Sequence, residues 1–408
     1  MNKPNLYVFN PTCELAVANG SFSYMPPLLL QDMERDLSIL PFIFADPTDF
    51  VLTEYPPSDE FKQSLTDAGF ELPVFCTHSE LAIRSETGIN ALYPWGWSPA
   101  AHFMLKKFRE RCSDDFKNSP VYEWQPKHKV LFERETSLNL LLDILNKNQA
   151  NWLVDREKTG IKVYGIMEIE NILKIHRIIV LKAPLSSSGR GIQIIRKDEL
   201  NNSNRQWISG VIKQQKYLIA EPYLDKRMDF SFQFKILNDD LEYLGYSIFE
   251  TNSNGQYKGT FIRPDLNHFF PKEEICALSE RIEKTALLIE KSLKKSDYAK
   301  FHRGFLGVDA LIFNDHEELK IQPCIEVNCR MNMGILGMFL ERIIHQESIG
   351  IFTLYTGNPG EFKKFALEQS KIKPIRFKEG KICSGFIPLT EPDSKKRFGA
   401  YSVLEFAR

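Results

Sequence analysis

Lys182 closes the apolar run Ile178-Ile179-Val180-Leu181. The loop Ala183-Pro184-Leu185-Ser186-Ser187-Ser188-Gly189-Arg190-Gly191 and a second apolar run, Ile192-Gln193-Ile194-Ile195, follow at once. Two β-branched runs around a Gly/Ser loop predict a hairpin rather than a helix. Glycine permits positive φ and serine adds hydroxyl donors, so such a loop lets backbone N–H groups approach an anion closely. Lys182 adds a point charge at the strand end, and Arg190 can fold over phosphates from the loop. A P-loop differs, because its Gly-rich turn and Lys-Ser/Thr lead into a helix. A plain surface hairpin with a flexible tip has the same local pattern, so the loop alone does not decide the chemistry.

A second constellation stands further along the chain. Gly307-Val308-Asp309-Ala310-Leu311-Ile312-Phe313 and Leu319-Lys320-Ile321-Gln322-Pro323-Cys324-Ile325-Glu326-Val327-Asn328-Cys329-Arg330 flank the polar turn Asn314-Asp315-His316-Glu317-Glu318. Both flanks read as strands of an antiparallel pair. Asp309 interrupts an apolar run, and the two-residue period puts Glu326, Asn328 and Arg330 on one face, with Cys329 on the other. A buried acidic pair beside an amide is costly unless a charge or a metal compensates it. Hard oxygen donors of this kind suit Mg²⁺, which keeps some waters and bridges substrate phosphates. Arg330 can neutralise a phosphoryl oxygen or a bound carboxylate. A structural ion-pair cluster within a sheet is the alternative reading.

These residues need elements to hold them. The N-terminal third alternates strand and helix. Strands are expected at Leu6–Phe9, Phe42–Ala45, Phe50–Leu52 and Leu72–Phe75, with helices from Pro26-Pro27 to Leu37, from Ser58 to Gly69, and from Ser98-Pro99 with Phe103, Met104 and Phe108 inward. Such alternation implies a mostly parallel sheet, whose ligands sit beyond the carboxyl ends of its strands. That places Asn10, Glu14 and Asn19 beside a candidate pocket, with turn chemistry and helix capping as the alternative. The middle and end read as α+β. Residues 251–264 are rich in Asn and Gly and read as a mobile loop that includes Arg263. A 3.6-residue period runs from Glu273 to Ile289, and a helix is expected from Met331 to Ile344 beneath the acidic strands. Residues 370–408 end in strand-like segments with no functional reading.

Taken in order, the Lys182 hairpin, Ala220-Glu221-Pro222-Tyr223-Leu224, Asp309 and Glu326-Val327-Asn328-Cys329-Arg330 resemble the ATP-grasp superfamily. The resemblance covers roughly residues 120 to 345. It implies an α/β plus α+β architecture, in which an N-terminal pre-ATP-grasp-like α/β domain (1–118) precedes a two-lobed ATP-grasp domain. The first lobe (119–204) would carry the Lys182 hairpin and the Gly/Ser loop, and the second (205–408) the Mg²⁺ site and a C-terminal extension. The resemblance implies that Lys182 contacts the α/β-phosphates and the adenine edge, and that Ser186, Ser187, Ser188, Gly189, Arg190 and Gly191 close over the β/γ-phosphates. It implies that Glu221 and Tyr223 read the adenine amino group and that Asp229 meets the ribose hydroxyls. Asp309, Glu326 and Asn328 match the Mg²⁺ ligands, with Mn²⁺ as an alternative ion, and Arg330 matches the arginine of the Glu-x-Asn-x-Arg variant. Family members usually carry another lysine at the start of the first helix of this region. Here Arg134 is favoured over Lys129 for that place, which keeps the charge but changes its geometry.

Composition agrees with an enzyme of this build. At 408 residues the chain is too long for one simple core. A net charge of −1 argues against a general nucleic-acid partner. Seven cysteines without a Cys-x-x-Cys pair read as reduced thiols of a cytoplasmic protein. No apolar run approaches membrane-spanning length. The N-terminal region lacks a strand-linked Gly-x-Gly-x-x-Gly, which disfavours an NAD-binding oxidoreductase. The implied function is an ATP- and Mg²⁺-dependent ligase that activates a small-molecule carboxylate as an acylphosphate for attack by an amine, with Lys182, Arg190 and Arg330 as its catalytic cations. Asn10, Glu14, Asn19 and Arg263 are candidate contacts to the acceptor substrate. A phosphotransferase on the same fold and a non-catalytic nucleotide-binding protein are the competing readings.

Overall fold

The computed structural model describes residues 3–84, 86–148, 150–186, 191–196, 199–238, 240–252 and 256–406. Three sheets organise it. The first is parallel, in the order β3-β2-β1-β4, from β1 (Leu6–Val8), β2 (Phe50–Leu52), β3 (Val74–Cys76) and β4 (Leu92–Pro94). Leu6 and Val8 pack on one side with Phe50 and Leu52, while Tyr7 and Phe9 face the rest of the molecule. The expected strand at Phe42–Ala45 is a 3₁₀ turn, Leu40–Ile43, with Pro41 at its start. Its apolar residues are buried, but Pro41 lacks the N–H that a sheet ladder needs. In the helix Pro99–Met104, Phe103 is 63% exposed, contrary to the expected inward face. Ala101 and His102 point inward instead, the His102 ring lying 4.5 Å from Trp97.

The second sheet is antiparallel, in the order β5-β8-β6-β7, from β5 (Ile161–Val163), β6 (Ile179–Lys182), β7 (Ile192–Ile195) and β8 (Leu218–Pro222). The helices Ile166–His176 and Asn202–Gln215 cover it with Ile169, Leu173 and Ile208. The expected lobe boundary at 204 therefore falls inside this unit, which runs to Pro222 because β8 pairs with both β5 and β6.

The third sheet has nine strands, β9 (Asp225–Ile236), β10 (Leu241–Thr251), β11 (Tyr257–Ile262), β12 (Gly304–Asp315), β13 (Glu318–Asn328), β14 (Ser348–Thr356), β15 (Arg376–Lys378), β16 (Lys381–Pro388) and β17 (Phe398–Phe406), ordered β13-β12-β9-β10-β11-β14-β17-β16-β15. Half of the expected 251–264 loop, Thr251 and residues 257–262, is thus strand, and Thr260 pairs with both Phe249 and Phe352; Ser253–Gly255 lie outside the described residues. One face carries Phe230, Phe232, Phe234, Leu306, Val308 and Ile312 into a core shared with the helices Arg134–Lys147 and Lys272–Leu293. The Arg134–Lys147 helix lies before β5 yet packs on β13, so residues expected in the first lobe build the core of the second. It also covers the sheet edge, because Ser137 Oγ accepts from the Val327 N–H at 3.0 Å. The other face is polar, with Asp229, Ser231 and Gln233 alternating along β9.

Candidate active site

Register brings the acidic residues together. Asp309 on β12 stands opposite Glu326 on β13 and opposite Ser231 on β9, while Gly307 stands opposite Asn328. Opposed residues of an antiparallel pair share a face, so Asp309, Glu326 and Asn328 meet on the polar side. Cys329 is buried on the other side, within the core. Asn328 Nδ2 donates to Asp309 Oδ2 at 2.8 Å, and Arg330 Nη2 donates to Asn328 Oδ1 at 2.8 Å. Gly307 keeps this face open, because a Cβ there would lie 2.6 Å from Asn332 Nδ2 and 3.0 Å from Ser231 Oγ. Behind it Asn332 Nδ2 donates to Gln233 Oε1, Gln233 Nε2 donates to Ser247 Oγ, and Asn332 caps the helix Met333–Leu340.

Burial and then the nearby Glu326 carboxylate push the Asp309 carboxyl up to about 7. A cation between the two carboxylates would relieve both effects. Two carboxylates and an amide oxygen are hard donors that fit Mg²⁺ or Mn²⁺. Among the described residues no three His, Cys, Asp or Glu side chains gather as a metal cluster. Two carboxylates and one amide oxygen would leave positions on such an ion for water and phosphate oxygens.

The facing wall comes from the second sheet. Lys182 ends β6 opposite Ile192 and Ile219, is 5% exposed, and forms an ion pair with Glu221 of β8. Ala183 N donates to Gly191 O at 2.8 Å and closes the loop base, and a Cβ on Gly191 would run into Ser186. Ser187, Ser188, Gly189 and Arg190, expected to be phosphate contacts, lie outside the described residues. Arg134 spans the gap between the walls. It opens its helix, is 5% exposed, and sends Nη1 to Ala183 O and Ser186 Oγ, both at 2.6 Å. Its Nη2 lies 3.2 Å from Glu326 Oε1 and 3.3 Å from Oε2. One guanidinium therefore touches both the lysine hairpin and the acidic strands, whereas Lys129 sits on the short helix Pro126–Val130.

Other expected site residues are placed as follows. Glu14 reaches the site, since Arg330 Nε donates to its Oε1 at 2.8 Å. Asn10 instead clasps Gly96, donating to its carbonyl at 2.8 Å. Asn19 is exposed and accepts from Ser21 N at 3.2 Å, which is turn chemistry. Arg263, at φ 50°, pairs with Glu341 beyond the Met333–Leu340 helix and donates to its carbonyl at 2.9 Å. Asp229 is held by Lys226 at 2.5 Å and Thr251 at 2.8 Å. Tyr223 is 38% exposed, with the Arg196 guanidinium 4.8 Å from its ring centre. Sequence reasoning missed Ser137, Ser231, Gln233 and Asn332. Asn332 alone left a signal, as a capping residue just before an apolar helix.

No protein-family model and no curated protein matches the chain. Solved structures do. The biotin carboxylase of Campylobacter jejuni, in a β-γ-ATP complex, superposes with a TM-score of 0.52 at 11% identity, covering 100% of this chain and 88% of that one. The biotin carboxylase domain of Hydrogenobacter thermophilus 2-oxoglutarate carboxylase, with MgADP and bicarbonate, gives 0.52 at 13% identity, covering 99% and 86%. Both are ATP-grasp enzymes, and at these identities the likeness defines a fold. The chain has the ATP-grasp fold, an N-terminal α/β domain followed by a two-lobed ATP-grasp domain. Among the described residues no helix is long and apolar enough to cross a membrane.

Proposed function

We propose that this chain is an ATP-dependent ligase that activates a small-molecule carboxylate as an acylphosphate and passes the acyl group to an amine. The observation that carries this reading is the convergence on Arg134 of Ala183 and Ser186 from one hairpin and Glu326 from the other, on a fold suited to ATP. Lys182, Arg134 and Arg330 supply positive charge around the polyphosphate and the acceptor, and positioning with electrostatic stabilisation carries most of a phosphoryl transfer. Asp309, Glu326 and Asn328 would hold Mg²⁺, which when bound neutralises phosphate charge. A carboxylate oxygen of the substrate takes the γ-phosphoryl group and ADP leaves. The amine nitrogen then attacks the acyl carbon, phosphate departs with the bonding pair, and the amine loses a proton. Water must be kept from the acylphosphate, a task that falls to the Gly/Ser loop.

The test is a screen of amino acids and small carboxylates, with and without amines, for phosphate release from ATP, with Glu326→Gln as control. Turnover is expected only with the proper acceptor and is lost in Glu326→Gln. Undiminished turnover in that variant refutes the metal assignment. A stable phosphorylated product would make the protein a phosphotransferase.

A further inference from the structure

We infer that Glu14, in the N-terminal domain, is a positioning residue for the cation-binding face and acts through Arg330 and Asn328. The inference rests on the ligase reading above. Four side chains form an unbroken series. Arg330 Nε donates to Glu14 Oε1, Arg330 Nη2 donates to Asn328 Oδ1, and Asn328 Nδ2 donates to Asp309 Oδ2, each at 2.8 Å. The series fixes the Asn328 amide by its polarity. Turning the amide over would set its NH₂ against the guanidinium and its oxygen against the Asp309 carboxylate. Arg330 thus decides which way the oxygen donor of Asn328 faces.

Arg330 is itself held on three sides. Met331 O accepts from Nη1 at 3.2 Å and Asn328 from Nη2, both close in sequence, whereas Glu14 lies 316 residues away. Glu14 is the contact that orients the Nε edge of the guanidinium from outside the ATP-grasp domain. Side-chain exposure is only 20% for Arg330 and 13% for Glu14, so water substitutes poorly for the carboxylate. The junction is built for this approach. Met331 N donates to Trp95 O at 2.8 Å, and a Cβ on Gly96 would run into Cys13 Sγ and come within 3.2 Å of Arg330 Cβ. Docking of the N-terminal domain and orientation of the Asn328 amide are therefore one event.

The experiment measures binding of Mn²⁺ together with a non-hydrolysable ATP analogue to the full chain, by the EPR signal of free Mn²⁺. Glu14→Asp keeps the charge but shortens the reach by one methylene. Glu14→Gln removes the charge but keeps an oxygen acceptor for Nε. Both keep a hydrogen-bonding group at the junction, which Glu14→Ala removes. Indirect partners of metal ligands typically change affinity by 10–100-fold. Glu14→Asp and Glu14→Ala are expected to weaken Mn²⁺ binding about 10-fold, while Glu14→Gln stays within about 3-fold of wild type. In an Arg330→Met background the Glu14 substitutions should have no further effect. Wild-type affinity in Glu14→Asp overturns the inference and leaves the ligase reading standing. Equal loss in Glu14→Gln and Glu14→Ala overturns it too, since charge alone would then explain the effect. Undiminished loss in the Arg330→Met background overturns the route through Arg330. A wild-type chain that binds neither Mn²⁺ nor the analogue overturns both the inference and the ligase reading.

Discussion

Replacing Asp309 by Asn should stabilise the metal-free protein while removing its affinity for the cation. In the folded chain the Asp309 carboxyl is raised from 3.8 to about 7, first by burial and then by the Glu326 charge. A carboxyl whose folded value lies above its unfolded value opposes folding wherever it is ionised. The cost is absent below 3.8, grows as pH rises, and is complete above about 7. A rise of that size corresponds to about 4 kcal/mol, and solvent screening of the partly exposed group reduces it to about 2–3 kcal/mol. Asn is nearly isosteric and its oxygen can still accept from Asn328 Nδ2. Urea unfolding in EDTA at pH 8 should therefore give an Asp309→Asn variant more stable than wild type by about 2–3 kcal/mol. The advantage should shrink steadily toward pH 4. Saturating Mg²⁺ with ATP should raise the stability of wild type but not of the variant, because only a binding-competent native state gains from ligand. A variant no more stable than wild type at pH 8, or an advantage that ignores pH, refutes the argument that two crowded carboxylates are held ready for a cation.

Three further outcomes can be checked. Arg134→Met should raise the KM for ATP about 10–100-fold, the worth of a charged hydrogen-bond donor, with Arg134→Lys intermediate; initial rates at varied ATP decide this. Gly96→Ala should lower stability by about 1–3 kcal/mol, since the new methyl meets Cys13 and Arg330 at the domain junction; thermal unfolding and protease sensitivity of the N-terminal domain report it. Asp315 is lowered to about 2, mainly by hydrogen bonding with Lys158 and then Lys320, so its stabilisation is present above 3.8 and vanishes as pH falls through about 2. Asp315→Asn should accordingly cost about 2 kcal/mol at pH 7, roughly half of that at pH 3 and little once the pH is below about 2, measured by urea unfolding.

The two hairpins were legible because their signals are local. The run ending at Lys182 and the strict alternation of Glu326, Asn328 and Arg330 each state strand, face and charge within a dozen residues. Glu14 was legible as a strand-end residue, yet its partner was not, because nothing local announces an arginine more than three hundred positions away. Arg134 was placed at a helix start by the family resemblance and the apolar helix run that follows it, but its bridge between Ser186 and Glu326 is set by tertiary packing. The same holds for Ser231 and Gln233, which read as ordinary polar positions of an alternating strand. Where the reading failed, a local cue competed with tertiary context. Asn and Gly around position 254 suggested a loop across a segment that the sheet claims as β11. The phenylalanines at 42 and 44 suggested a strand where Pro41 turns the chain.

The place of β17 in the large sheet bears on how this chain can be made. Although it spans Phe398–Phe406, it lies between β14 and β16, and the backbone at its start donates from Arg397 and Phe398 to Asp36 of the N-terminal domain. A nascent polypeptide stalled before that segment leaves two interior edges unpaired, a template for association with neighbouring chains. Translation must thus run almost to residue 406 before the sheet can close.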